Sequence, residues 1–148
     1  MLGHDDDHAR EASEKGGNEG FYHYLQRFEA HAIERGIADH PDCIMELGAP
    51  TSVYNDPALL ERVQKTLEPY ENVILLQPSA DIDESVRILK QRATILVDGM
   101  ELNEHFIRHH SNHDLAKQVV YTEGKTPHET ADEVLRRCRD IIPRDLDR

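Results

Sequence analysis

The sequence predicts an α/β domain built on a parallel sheet, and two observations carry that expectation. Three short apolar runs, Cys43-Ile44-Met45, Val73-Ile74-Leu75-Leu76 and Val119-Val120-Tyr121, lack strict polar alternation, as strands covered on both faces do. Helical patterns lie between and after these runs, and such alternation builds βαβ units with right-handed crossovers. A chain of 148 residues fits one domain with a core of its own.

The elements are read in order. Residues 1–20 are polar, aperiodic and glycine-bearing and include the run Asp5-Asp6-Asp7. They read as a flexible polar arm ahead of a domain over residues 21–148. From Phe21 the pattern changes: Phe21, Leu25, Phe28, Ala32 and Ile33 recur at helical spacing, and Gly36 offers a stop. After the first apolar run, Asp56-Pro57 opens a helix through Leu59, Leu60, Val63 and Leu67, with Asp56 as cap and Pro57 in the first turn. Asp81 opens the next, through Val86 and Leu89. Residues 93–111 interrupt the alternation with a strand-like run at 94–97, a turn at Asp98-Gly99 and a helix over 101–108. Thr126-Pro127-His128-Glu129 opens the last helix, with capping-box spacing from Thr126 to Glu129.

Composition excludes several classes. The formal net charge is −12, and a surface that acidic repels phosphate backbones, so nucleic acid is not the expected partner. No apolar run has the length of a membrane span, and the acidic start is unlike a secretory signal. The expected compartment is therefore cytoplasmic. Cys43 begins an apolar run and Cys138 ends a helical pattern, which predicts buried thiols rather than a disulfide.

The order of elements resembles the shikimate-kinase type of P-loop kinase, over roughly residues 20–139. Leu47-Gly48-Ala49-Pro50, followed by Asp56-Pro57, stands where that family has a glycine triplet and a Pro-started helix. Residues 72–77 and then Pro78-Ser79-Ala80-Asp81 are similar to its strand, polar turn and lid helix. Arg108, Ala116, Thr122 and Pro127 follow its spacing of arginine, helix end, last strand and last helix. The resemblance implies a three-layer parallel sheet of P-loop kinase type and ATP-dependent phosphoryl transfer, with Mg²⁺, to a hydroxyl of a small acidic metabolite. Two departures stand beside it. No G-x-x-x-x-G-K-[ST] occurs in the chain, so the loop whose amides and lysine hold phosphates is absent, together with the first strand that precedes it. The glycine triplet has become Gly48-Ala49-Pro50, and Pro50 has no N–H to offer. Phosphoryl transfer rests mostly on positioning, so the polypeptide is expected to be inactive or nearly so.

The resemblance also implies roles for individual residues. Arg108 matches the arginine that pairs with a substrate carboxylate, for which a planar guanidinium is suited. Arg92 stands where the lid carries arginines toward the transferred phosphate, in both a catalytic and a nucleotide-binding role. Asp5 and Asp7 resemble the acidic pair that holds the substrate hydroxyl and takes its proton. Gly48 keeps one position of the glycine triplet. Lys125, beside Gly124, lies in the turn near the adenine. Gln26 occupies the place of a second substrate arginine, with Arg27 one residue off, so no role carries over there. His105, His109 and His113 recur one helical turn apart, with Glu101 and Glu104 nearby, and such spacing can hold a metal. The reading retained is of scattered surface histidines and no metal site. The alternative to a kinase is a non-catalytic, kinase-derived binding or oligomerisation protein. Removing a central strand exposes sheet edges, and a homodimer would complete them.

Overall fold

The computed structural model of the chain describes residues 5–97 and 99–141. These form a mixed α/β fold in the order α1 (Asp6–Asp39), a 3-10 turn (Ala49–Ser52), α2 (Pro57–Leu67), β1 (Ile74–Gln77), α3 (Ile82–Arg92), β2 (Leu96–Val97), β3 (Met100–Glu101), α4 (Leu102–Arg108), α5 (Ser111–Leu115), β4 (Gln118–Tyr121) and α6 (Pro127–Ile141). No helix among the described residues is long and apolar enough to cross a membrane.

α1 is two arms. Asp5 caps it, its carboxylate accepting from the amides of Asp7 and His8. At Gly17 the backbone turns to φ 59° and ψ −146°, a conformation a side chain resists. The arms, residues 6–16 and 18–39, then fold back on each other. The Asp5 amide donates to Tyr24 Oη at 3.0 Å, and a Cβ on Gly20 would stand 2.3 Å from the Ala12 carbonyl oxygen. Eight residues of straight helix would span about 12 Å, so the contact requires a hairpin. This corrects the expectation of an irregular arm over residues 1–20: from Asp6 onward the segment is helical, and Ala9 is buried. An acidic first turn suits a helix N-terminus. Residues 1–4 of that expected arm lie outside the described residues.

The longer arm also differs from its expected pattern. It passes Gly36 and ends at Asp39, where the His40 amide donates to the Gly36 carbonyl at 3.0 Å. Gly36 serves a close approach instead, since a Cβ there would meet Met45 Cε at 2.6 Å. The buried face is Gln26, Ala30 and Ile33 rather than Phe21, Leu25 and Phe28, which are half-buried. The reason is that this arm is packed on two sides. The shorter arm takes one seam, and α2 takes the other.

The core gathers Ala30 and Ile33 from α1, Tyr54, Leu60, Val63 and Leu67 from α2 and its approach, and Leu115 from α5. Arg62 of α2 grips Glu34 of α1 with both Nε and Nη2 at 2.5 Å, and that hydrogen-bonded pair holds the Glu34 carboxyl below its ordinary range. The expected starts of the three later helices are present, whereas the one at Phe21 is not, since α1 already begins at Asp6. Asp56, Asp81 and Thr126 cap α2, α3 and α6, the last with Glu129 accepting from the Thr126 amide at 2.7 Å.

β1 and β4 pair in parallel from Ile74↔Gln118 to Gln77↔Tyr121. β2 and β3 form a short antiparallel hairpin around Gly99, whose φ is 83°; Asp98, the other expected turn residue, lies outside the described residues. The expected strand at Cys43-Ile44-Met45 is not formed, and Ile44 is 100 % exposed. A strand needs a neighbour to take its backbone groups, and no described strand lies beside it. Cys43 is correspondingly exposed, not buried. Among the described residues the parallel sheet thus has two strands and is not a three-layer sheet. Its two edges differ. The β4 carbonyls that point away from β1 are bound by cations, Val119 by Arg137 Nη1 at 3.0 Å and Tyr121 by Lys125 Nζ at 2.6 Å. Among the described residues the outer edge of β1 carries no strand, and Leu76 of this edge strand, projecting from a sheet face, is 53 % exposed.

Gly20→Ala is expected to destabilise the fold by about 1–3 kcal/mol, the range for forcing a methyl into a packed contact. It should also make residues 6–16 more sensitive to limited proteolysis, read by mass spectrometry beside the melting temperature.

Candidate functional site

One face of the long arm of α1 carries Glu19, Tyr22, Gln26 and Glu29, spaced three to four residues apart and so stacked along one side. Across from it stand Pro50, Val53 and Asn55 from the segment before α2, Met100 from β3, and His105 and Phe106 from α4. Together they line a narrow cleft of about 340 Å³ with its open mouth included. Its enclosed depth has room for about one water molecule. Tyr22 and Phe106 meet edge to face across it, ring centroids 6.2 Å apart. No lysine or arginine is among its lining residues.

The walls are held by a chain of hydrogen bonds. The buried Gln26 accepts the Asn55 amide on Oε1 at 3.1 Å, and its Nε2 makes no hydrogen bond to a described residue. Asn55 Nδ2 donates to His23 Nε2 at 2.9 Å, and His109 Nε2 donates to Asn55 Oδ1 at 3.0 Å. His109 Nδ1 meanwhile accepts the Ser111 amide at 3.3 Å. With Nε2 donating and Nδ1 accepting, His109 is the neutral imidazole. Burial is the main cause holding its pKa below the ordinary histidine value, with His110 and His105 adding repulsion.

Glu29 is the outlying group. Its carboxyl is half-buried, and desolvation raises its pKa from 4.5 to about 7. Among the described residues no hydrogen bond or cation stabilises the charged form, so desolvation is unopposed. Strong perturbation by burial, in a cleft, is the pattern of functional carboxyls.

The residues singled out from the sequence fall in several places. Asp5 and Asp7 are on the short arm: Asp5 caps α1 with its pKa lowered by its bonds to His8 and Asp7, and Asp7 pairs with Arg10 at 2.7 Å. Tyr24, which binds the Asp5 backbone, is about 200° around the helix from Gln26, so these aspartates lie on the far side of α1 from the cleft. Gly48 caps the 3-10 turn that brings Pro50 to the cleft wall, and its carbonyl accepts from Thr51. Arg108 belongs to α4 but turns to α3, pairing with Asp83 at 2.6 Å and Glu104 at 3.0 Å. Arg92 closes α3, nine residues or about 13 Å of helix from Asp83. Lys125 binds Glu133 and the Tyr121 carbonyl beside β4. Arg92, Lys125, Asp5 and Asp7 therefore contribute nothing to this cleft. Among the described residues no group of three or more His, Cys, Asp or Glu is placed to hold a metal ion. α4 ends at Arg108, where the expected helix also ends, and His113 falls in α5.

Sequence reading gave Gln26 no role and passed over Glu29 and Asn55 as site residues. The signal was there in the 19, 22, 26, 29 spacing, which sets four polar or amphipathic side chains on one stripe next to Ala30 and Ile33. No family model, curated protein or solved structure matches the chain.

A proton held by folded Glu29 up to about pH 7 is released by the unfolded chain near 4.5. The folded state thus binds more protons between those values, and stability falls as pH rises through that window. Glu29→Gln removes the effect. Relative to the parent, its melting temperature should rise between about pH 5 and about pH 8, measured by thermal denaturation across pH. An unchanged difference between the two proteins would contradict the assignment.

Proposed function

We propose that this chain is a small-molecule kinase-like domain of shikimate-kinase type, in which the cleft beside Glu29 is the acceptor side and the phosphate-holding loop is not part of the 148 residues. Phosphoryl transfer in such a domain takes ATP and Mg²⁺, and it goes to a hydroxyl of a small metabolite. The single observation that supports it most is the parallel β1–β4 pair, with α3 following its polar turn, the β2–β3 hairpin and α4 between, and α6 behind. The strand, polar turn and lid helix, and the last strand and last helix, are the part of that order expected from the resemblance; the β2–β3 hairpin is not. The asymmetric edges agree with it: β4 is closed by Arg137 of α6 and by Lys125 of the turn before it, whereas among the described residues β1 is open where a kinase-type sheet has its central strand. The acidic character expected of the acceptor has less support, because Arg108 is engaged by Asp83 and Glu104.

A second reading is favoured by the open β1 edge itself. A two-stranded parallel sheet is unusual in isolation, and the exposed Leu76 lies on it. In that reading the chain is a non-catalytic oligomerisation domain, and a second copy completes the sheet.

Thermal denaturation with and without ATP·Mg²⁺ tests the first reading. With no loop to supply amides and lysine to the phosphates, the melting temperature is expected to stay within about 1 °C of the nucleotide-free value, and no ATP should be hydrolysed. A rise of several degrees, the effect of a ligand well above its dissociation constant, would establish a nucleotide site of another construction. Hydrogen exchange separates the two readings: rapid exchange of the β1 outer-edge amides in a monomer fits the first, and concentration-dependent protection in a dimer fits the second.

A further inference from the structure

We propose that the cleft between α1 and α4 binds a polyol carrying no negative charge, an aminopolyol in preference to a neutral one, through a single hydroxyl inserted between Glu29 and Gln26. The inference deepens the kinase-like reading by naming its acceptor class, and it rests on that reading only for what the site is used for.

Three independent features of the cleft point the same way. The first is size. The enclosed depth takes about one water, which is the volume of one hydroxyl, while the wider mouth leaves the rest of a ligand outside it. The second is hydrogen-bond capacity. Gln26 is 4 % exposed, with Oε1 committed to Asn55 and Nε2 unpartnered among the described residues. Glu29, one turn along the same stripe, makes no hydrogen bond to a described residue with its half-buried carboxyl. An unpartnered amide donor beside an unpartnered carboxyl acceptor matches a group that both accepts and donates, and a hydroxyl does both. A bound hydroxyl would give both groups the partner that the described residues do not supply.

The third feature is charge. Glu19 and Glu29 both line the cleft, and no lysine or arginine does. A carboxylate ligand would meet two carboxyls with no cation to offset them, whereas an ammonium group at the mouth would face Glu19 and draw Glu29 toward its ionised form. The edge-to-face Tyr22–Phe106 pair supplies apolar surface for the C–H faces of a polyol chain. Arg27, next to Gln26, lies over the Tyr24 and Phe28 rings, and Arg108, two residues past Phe106, is occupied by Asp83 and Glu104, so neither reverses this balance.

The test uses three probes with the same carbon chain: glucamine, sorbitol and gluconate, which are cationic, neutral and anionic. Each is added to the full chain, without nucleotide, and thermal denaturation is recorded at about pH 6 and about pH 8. Glucamine is expected to raise the melting temperature by about 3 °C at a concentration well above its dissociation constant, and more at the higher pH. Sorbitol should give a smaller rise and gluconate none. Glu29→Gln should remove the glucamine shift while keeping a cooperative melt, and Asp83→Asn, away from the cleft, should retain it. A gluconate shift equal to or above that of glucamine overturns the proposal. So does the absence of a shift with all three, or a glucamine shift that survives Glu29→Gln. Because no nucleotide is present, these outcomes are independent of whether ATP·Mg²⁺ binds.

Discussion

The structure depends on how one buried, non-helical stretch satisfies its backbone. Val53 and Tyr54 run through the centre of the molecule, 3 % and 1 % exposed, without strand or helix partners. Polar backbone buried in this way must find hydrogen bonds or destabilise the fold by about 1–3 kcal/mol per group. One hydroxyl answers for both groups of Tyr54: Ser111 Oγ takes the Tyr54 amide at 3.2 Å and gives to its carbonyl at 3.3 Å. Ser111 is wholly buried. Ser52 reaches Asn112 at 2.7 Å, Tyr54 Oη returns to the Thr51 carbonyl at 2.7 Å, and Asn55 is held by Gln26. The segment before α2 is thereby fixed to α1 on one side and α5 on the other.

The cleft follows from that arrangement. Asn55 follows the buried Val53 and Tyr54 and is itself exposed, and its side chain bridges His23 of α1 to His109 at the end of α4. The bridge sets the separation of the two walls. Gln26 uses its Oε1 to hold Asn55, and its Nε2 has no partner among the described residues. The acidity of the cleft has a separate origin, in the glutamates at 19 and 29.

Much of the framework is legible in the sequence because it is set by local rules. Asp56-Pro57, Asp81 and Thr126 with Glu129 are helix starts whose caps act within three residues, and the structure has each of them. The parallel runs at Val73 and Val119 are legible for a similar reason, being apolar and bounded by turns. The misses are non-local. Cys43-Ile44-Met45 has a strand's composition but no neighbour to pair with. The hairpin at Gly17 is invisible to periodicity, since the run before it is too polar to read as a packed helix and is held by contacts such as Asp5 with Tyr24. The cleft was half legible: the helical stripe of Glu19, Tyr22, Gln26 and Glu29 could be counted off, but its partners come from residues 50–55 and 100–106, and only the tertiary fold unites them. Arg108 shows the converse, a residue with a good position in the sequence whose side chain is directed elsewhere by Asp83.

The account turns on Glu29 being a desolvated carboxyl poised near neutrality. Its ionisation can be followed directly, through the ¹³C shift of the Glu29 side-chain carboxyl across a pH titration of the full chain. A midpoint at about 7 is predicted, moving down when glucamine occupies the cleft. A midpoint at the ordinary value of 4.5, unmoved by the ligand, would mean that water reaches the group freely, and the functional reading of the cleft would be wrong.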